Sequence, residues 1–398
     1  MKRRFCFILL IIMSTLLFSN SFFRERYFEL KVDIPINVST NTLRIMDFLK
    51  KEVEIDLTEL ANNVPNNGFD LYLNAAPNYK MTLNINEKFK IGPRIGTELF
   101  GLVNVSKSLF DFIGIGNQYT DTYNFTTQVN ADVFAYLGFL VGIKIGKFRM
   151  GVTPNMFAPI CSVSTENLFL CLENTSNGGI NIVGQGKMGI YTNFDIENAE
   201  TDLIFNSLKN GIGFDIEGYF GVDFNKYISL DLNYKVPIKF GLFEKSISYD
   251  MDINFNTTLA GMLGGDFEED FKLENKHVND YSYKIYRPMK FNLALKFSPF
   301  ENFLTINALA GIGFYHPFMS DTKIFPEYSV LAKISVIGLF TFQVSTSYLD
   351  RCFSHNVVGG INLRLIQIEA GLGLSSTDFI KSFQITGING FVSLAIGF

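Results

Sequence analysis

The sequence predicts an all-β fold: a closed antiparallel transmembrane β-barrel of about fourteen strands, within a range of about twelve to sixteen, with short helices in its long loops. Three observations predict it. Apolar and polar residues alternate with period two along most of the chain, and the connections between these segments are alternately short and long. Beyond the N-terminus, the longest apolar run lies near residues 133–143, far short of the roughly 18 to 20 residues of a spanning helix. Yet 47% of the 398 residues are apolar, with 42 Phe, 17 Tyr and no Trp, and the mean hydropathy is +0.17. A barrel reconciles these facts, because half of each strand faces lipid. With 34 Lys+Arg against 39 Asp+Glu and a formal charge of −5, no basic excess points to nucleic acid. The apolar content is too high for a disordered chain.

The N-terminus sets the compartment. Lys2, Arg3 and Arg4 precede the apolar run 5–18, and Ser19 and Ser21 follow it. This is the order of a secretory signal peptide over residues 1–21, cut after Ser21. The alternative, a membrane anchor, is disfavoured by the shortness of the run and by the lack of any later stop-transfer segment. Cys6 lies inside the apolar run, so no lipidation is expected. Residues 22–398 then form the barrel. Its Cys161 and Cys171 lie ten positions apart on either side of an expected bend; they either bridge or remain free, as Cys352 does.

Alternation marks strands at 28–38, 69–86, 89–105, 123–143, 148–160, 211–224, 228–240, 289–297, 303–314, 328–336, 339–348, 353–363, 366–374 and 387–398. The clearest pair is 211–240, where Phe214, Ile216, Phe220 and Val222 alternate with Asp215, Glu217 and Gly221. A two-residue turn after Phe224 would send Ile228 to the wrong face, since a one-residue slip inverts every side chain. An odd connection sets Phe224 opposite Ile228 and Glu217 opposite Lys235, where a cross-strand ion pair is expected. A β-sandwich also has alternating strands, but these segments reach the roughly 9 to 11 residues of a tilted membrane crossing, against about 5 to 6 in ordinary sheets.

Short turns fall near 87–88, 146–147, 225–226, 299–302, 337–338 and 365–366, and longer connections at 39–68, 106–120, 161–210, 243–286, 315–327, 349–352 and 375–386. This places both termini on the short-turn, periplasmic side. Within 39–68, Leu43, Ile45, Met46, Phe48 and Leu49 fit an amphipathic helix with Asp47, Lys50, Lys51 and Glu52 on or near its other side. It is either a plug or lid for the barrel or a solvated surface helix. A second short helix is expected at 198–208, and 161–193 and 246–285 carry the pattern of hairpins projecting from the long extracellular loops 161–210 and 243–286.

The polar faces supply the functional candidates. Lys90, Arg94, Glu98, Asp215, Glu217, Asp231, Lys235, Lys239, Lys290, Lys296, Lys333, Arg364 and Glu369 all fall at inward positions. So many charges cannot be buried dry, so the lumen is expected to be wet, salt-bridged or both, and their mixed signs argue against strong ion selectivity. No catalytic, cofactor-binding or metal site is expected. His277, His316 and His355 are scattered, no CxxC occurs, and the run Asp266-Phe267-Glu268-Glu269-Asp270 lacks EF-hand spacing. Asp350, Ser354, His316 and His355 have no spacing that compels a triad, so no enzyme is expected.

The terminal segment Gly390-Phe391-Val392-Ser393-Leu394-Ala395-Ile396-Gly397-Phe398, with Leu394, Ile396 and Phe398 on one face, resembles the aromatic signal by which bacterial outer-membrane barrels are recognised by their assembly machinery. With Gly151-Val152-Thr153-Pro154, Phe325-Pro326-Glu327-Tyr328 and Asp378-Phe379-Ile380-Lys381-Ser382-Phe383, the mature chain also resembles uncharacterised spirochaete-type outer-membrane proteins. The resemblance implies the bacterial outer membrane, with its lipids and the assembly machinery as partners, and no enzymatic activity. About fourteen strands lie between small filled barrels and open porins of about 16 to 18, and the fatty-acid-transporter type of barrel is similar at fold level. The leading expectation is a narrow or partly plugged channel for small or amphipathic solutes. The competing one is a surface protein with a closed lumen, whose extracellular loops contact host or surface ligands.

Overall fold

The computed structural model describes residues 26–43, 56–86, 88–116, 122–174, 179–193, 211–258, 268–300, 303–320, 322–384 and 386–398. The signal peptide expected at residues 1–21, the helix expected from Ile45 onward and the helix expected at 198–208 lie outside them. Eighteen strands join one sheet. They are β1 (Phe28–Thr40), β2 (Phe69–Ala75), β3 (Asn78–Ile85), β4 (Phe89–Val105), β5 (Thr122–Ile145), β6 (Phe148–Asn174), β7 (Gly179–Thr192), β8 (Gly213–Asp223), β9 (Ile228–Lys239), β10 (Gly241–Thr258), β11 (Glu268–Ile285), β12 (Met289–Phe300), β13 (Leu304–Tyr315), β14 (Lys323–Val336), β15 (Phe340–Leu349), β16 (Cys352–Asn362), β17 (Ile366–Ser376) and β18 (Gly387–Gly397).

The expected count of about fourteen is corrected, for two physical reasons. The segment expected as one strand at 69–86 is interrupted at Ala76 and Pro77, where proline has no N–H to give a ladder. β2 and β3 stay in line across the break, each pairing with β1 on one side and β4 on the other. The other additions are β7, β10 and β11, in regions expected to be chiefly loop. There β6 continues to Asn174, and its hairpin with β7 is joined by the β10–β11 hairpin.

Closure runs through the two ends of the chain. β1 pairs with β18 from Glu29 opposite Gly397 to Ser39 opposite Gly387. The ring continues from β4 through β5 to the first half of β6, then β8, β9, β12 and onward in sequence order to β18. β6 changes partner near Pro159, leaving β8 at Phe157 and taking β7 from Cys161. The distal halves of β5 and β6, with β7, β10 and β11, thus form a second tier of sheet beyond the ring.

Alternation sorts the faces. Ile34, Ile36, Leu137, Phe139, Leu293, Phe342, Val344 and Val392 are exposed on the outside, while Asp33, Thr82, Asn155, Asp215 and Ser393 are buried inside. An apolar exterior over a polar interior is the pattern of a transmembrane β-barrel, the reverse of a soluble one. Among the described residues no helix is long and apolar enough to cross a membrane.

The β8–β9 register places Glu217 opposite Lys235, and Phe224 N–H donates to Ile228 O at 3.0 Å. Two helices sit at the long-loop end. α1 (Leu57–Asn63) is N-capped by Asp56, whose carboxylate accepts from the Thr58 and Glu59 N–H groups. It packs against α2 (Lys107–Ile115), where Thr58 Oγ1 donates to Gly114 O at 2.8 Å. All three cysteines of the described residues are free. No bend separates Cys161 from Cys171: both lie on β6, and at about 3.3 Å per residue they stand roughly 30 Å apart, beyond the roughly 7 Å limit between bridged Cα atoms.

Candidate functional site

The lumen is crossed by a layer of ion pairs built around one arginine. β11 ends at Ile285 and β12 begins at Met289, and the link between them carries Arg287, which is fully buried. Its Nη1 donates to Asp215 Oδ2 at 2.6 Å, Nη2 to Glu98 Oε1 at 2.8 Å and Nε to Glu98 Oε2 at 3.1 Å. Lys235 Nζ donates to both Glu98 oxygens at 2.8 and 2.9 Å, and Arg94 Nη2 to Glu217 Oε1 at 2.6 Å. Asn155 Nδ2 donates to Asp215 Oδ1 at 2.6 Å and to Glu217 Oε1 at 3.2 Å. Three cations thus balance three carboxylates. A charge of either sign removed from this set would leave its partner buried and uncompensated.

Aromatic rings support the layer. The guanidinium groups of Arg287 and Arg94 lie 4.3 and 4.8 Å from the centre of the Tyr136 ring. Tyr136 lies so close to the wall that a Cβ on Gly96 would stand 2.5 Å from its hydroxyl. Next to it is an apolar core of Phe134, Phe157, Tyr191, Phe243 and Ile285, which fills the junction between the ring and the second tier. Gly213 serves the same packing, since a Cβ there would meet Phe157 at 2.2 Å.

A second cluster occupies the other wall. Lys290 Nζ donates to Glu327 Oε1 at 2.7 Å and to Asp350 Oδ1 at 2.5 Å, and Asn292 Nδ2 donates to Glu327 Oε2 at 2.9 Å. At the long-loop mouth, His316 Nε2 lies 2.9 Å from Asp132 Oδ2, and Ser162 Oγ donates to Asp132 Oδ1 at 2.7 Å. Since His316 follows β13 and Asp132 is on β5, this contact also bridges strands that are distant in the ring.

Cavities lie on either side of the layer. The mouth cavity, about 220 Å³, is lined by Tyr72, Phe100, Leu102, Tyr315, Tyr348 and Asp132, among others. Toward the short turns are cavities of about 380 and 410 Å³, the first bounded by Arg94, Glu217 and Lys235 and the second by Lys80, Lys90 and Arg149. A further space of about 380 Å³ follows the opposite wall past Asn37, Gln343 and Asn356.

The structure brings Arg94, Glu98, Asp215, Glu217 and Lys235 into one cluster and puts Lys290 into the second. Lys333 Nζ donates to Glu369 Oε1 at 3.1 Å in a separate pair. Lys90, Asp231 and Lys296 line cavities near the short turns. Two candidates lie elsewhere. Lys239 stands over the Phe214 ring at 5.6 Å, after a bulge between Phe214 and Asp215 has disturbed the alternation there. Arg364 is exposed in a tight turn with φ of +69°. Leu394, Ile396 and Phe398 point outward from the closing edge. The cross-strand ion pair expected between Glu217 and Lys235 is replaced, because Lys235 reaches Glu98 while Glu217 takes Arg94.

Arg287, Glu327 and Asp350 are absent from the lumen-lining candidates because all three lie in stretches read as connections. The signal was available in part, for Glu327 is in register with the alternation of β14. Among the described residues no group of three or more His, Cys, Asp or Glu side chains is placed to hold a metal ion.

No protein-family model and no curated protein matches the chain. Solved structures do. The chain is similar to the Pseudomonas putida toluene transporter TodX, with a TM-score of 0.52 and 9% identity over 96% of this chain and 92% of that one. The Ralstonia pickettii toluene transporter TbuX aligns with a TM-score of 0.46 at 8% identity, over 95% and 91%. A Pseudomonas aeruginosa FadL homologue aligns at 0.44 and 10%, over 96% and 92%. At such identities the likeness to TodX is one of fold, that of a closed β-barrel.

Proposed function

We propose that the chain is a bacterial outer-membrane channel for small or amphipathic solutes and that the Arg287 layer holds its lumen closed. One observation carries this reading: among the described residues, a mouth cavity and an inner vestibule, both within the barrel, are separated by side-chain ion pairs. Ion pairs can exchange partners, so such a barrier can open without unfolding the wall. The mouth is amphipathic, with Tyr72, Phe100, Tyr315 and Tyr348 beside Asp132 and Asp70. That suits solutes with both apolar and polar parts, and the toluene transporter named above lends support at the level of fold. Insertion would follow removal of residues 1–21 and recognition of the Phe398 end by the assembly machinery, with outer-membrane lipids against the apolar exterior.

The test is single-channel conductance of the purified protein in planar bilayers, with the variant Arg287→Met/Asp215→Asn alongside. Low conductance in the parent and frequent opening in the variant are expected. Silence of both, with each shown to be folded by a heat-dependent shift in gel mobility, overturns the channel. A second reading then gains, in which the chain works as a surface protein. Its supporting observation is the second tier of β6, β7, β10 and β11, which offers extracellular surface to host or surface ligands.

A further inference from the structure

Charge is not spread evenly along the lumen. The ion layer is balanced, but the space beneath it collects cations. The cavity of about 410 Å³ near the short turns is lined by Lys80, Lys88, Lys90, Lys144 and Arg149, against Glu29 and Asp231. The neighbouring acids are already engaged. Asp33 is shared by Lys31 at 2.9 Å and Lys80 at 3.7 Å, Asp223 by Arg149 at 3.0 Å and Lys144 at 3.5 Å, and Asp231 lies 3.1 Å from Arg149. The side-chain ammonium groups of Lys88 and Lys90 have no ion pair or hydrogen bond among the described residues. An adjoining space of about 420 Å³ adds Lys147 and Lys296.

Turn lysines alone would be an ordinary solvated rim. Lys80 and Lys90, however, belong to β3 and β4, on the faces opposite Tyr79, Met81 and Phe89, which are exposed on the outside. They point into a confined space whose walls focus the field of the surrounding charges. Several ammonium groups facing one another there repel, and a multivalent anion that spans them relieves the repulsion at every contact. We propose that this vestibule is a binding site for a small multivalent anion, a di- or tricarboxylate or a phosphate-bearing solute. Its size excludes long polymers and suits a compact molecule. The site does not depend on the lumen conducting, since it opens toward the short-turn end.

Isothermal titration of the purified full chain in an uncharged detergent, with citrate and inorganic pyrophosphate as probes, tests it. Saturable binding of both that weakens as sodium chloride is raised is expected, with an affinity loss of about tenfold or more in Lys88→Gln/Lys90→Gln. The pair Lys187→Gln/Lys272→Gln on β7 and β11 makes the same change in net charge outside the vestibule and leaves the affinity unchanged. Absence of saturable binding, full affinity in the first pair, or an equal loss in the second overturns the proposal. Should the first pair lose its heat-dependent gel shift, amine acylation of the parent protein decides. Citrate then protects Lys88 and Lys90 but not Lys187, and equal labelling with and without citrate refutes the site.

Discussion

Lys235 on β9 and Glu98 on β4 meet as a chord through the barrel, with Nζ 2.8 and 2.9 Å from the two carboxylate oxygens, although β5, β6 and β8 lie between them in the sheet. Glu217, which stands opposite Lys235 in the β8–β9 ladder, bonds instead to Arg94, Asn155 and Arg287. The exchange follows from Arg287. A third cation inserted from the β11–β12 link draws Glu98, Asp215 and Glu217 around itself, and Arg94 and Lys235 then complete the charge balance from the two sides.

Replacing Arg287 by Met leaves Asp215, itself fully buried, with Asn155 as its only described side-chain partner. Breaking a buried pair from one side costs about 3 to 5 kcal/mol. Urea unfolding of the purified protein, followed by gel mobility, should therefore shift to lower denaturant for Arg287→Met. Arg287→Met/Asp215→Asn should recover a large part of the loss, because it removes the stranded charge. Equal stability of the single variant and the parent would show that the layer does not hold the fold together.

The cysteines give a second check. β6 runs unbroken past Pro159, so Cys161 and Cys171 are held at opposite ends of an extended segment and cannot bridge. Alkylation of the unfolded protein without reductant, read by peptide mass, should label Cys161, Cys171 and Cys352 alike. In the folded protein Cys352 should label slowest. It is 1% exposed, and its Sγ lies 3.1 Å from Ser39 Oγ at the β1–β16 side of the long-loop rim. A peptide pair joined through Cys161 and Cys171 would contradict the course of β6.

How much of this was legible depended on which physical signal each residue carried. Period-two alternation is local, and it places Glu217 opposite Lys235 correctly. It does not tell where a strand stops when its outer half leaves the ring, and so it ends β6 at 160 and marks β7, β10 and β11 chiefly as loop with projecting hairpins. Nor could it assign partners across the lumen. Lys235 and Glu98 are 137 positions apart, and their meeting depends on barrel curvature and on side-chain length. Arg287 was invisible for a different reason: it lies on no strand, and an arginine between Tyr286 and Pro288 has no periodicity to mark it as inward. Lys239 was misplaced by the bulge at Phe214, which breaks the counting rule on which the assignment rested.

The two faces of β15 make opposite demands. Val344 is 45% exposed on the outside, and its neighbour Gln343 lines a lumen cavity. Arg at a lipid-facing position costs about 2 to 4 kcal/mol at the bilayer midplane, whereas a wet lumen accepts it. Val344→Arg should lower the denaturant midpoint in lipid vesicles and reduce the folded yield, and Gln343→Arg should leave both near the parent values. The reverse order would mean that the barrel packs its apolar face inward and turns its polar face to the lipid.

The closing edge separates what holds the barrel from what has it built. Phe398 N–H donates to Phe28 O at 3.0 Å and Phe28 N–H to Phe398 O at 3.1 Å, while the two rings lie 5.8 Å apart and Phe398 itself is 69% exposed. Phe398→Ala keeps both backbone bonds and removes an exposed ring, so the purified protein should lose no more than about 1 to 2 kcal/mol. Deleting the residue also removes the two bonds that finish the β1–β18 seam, each worth about 1 kcal/mol. If the ring is read during assembly, Phe398→Ala should cut the amount of folded barrel in the membrane fraction several-fold in cells, well beyond what its small stability loss explains. If instead closure alone matters, the substitution should be silent in cells and only the deletion should reduce folded protein. Measuring membrane-fraction yield and denaturant midpoint for both variants distinguishes a recognition signal from a structural seam.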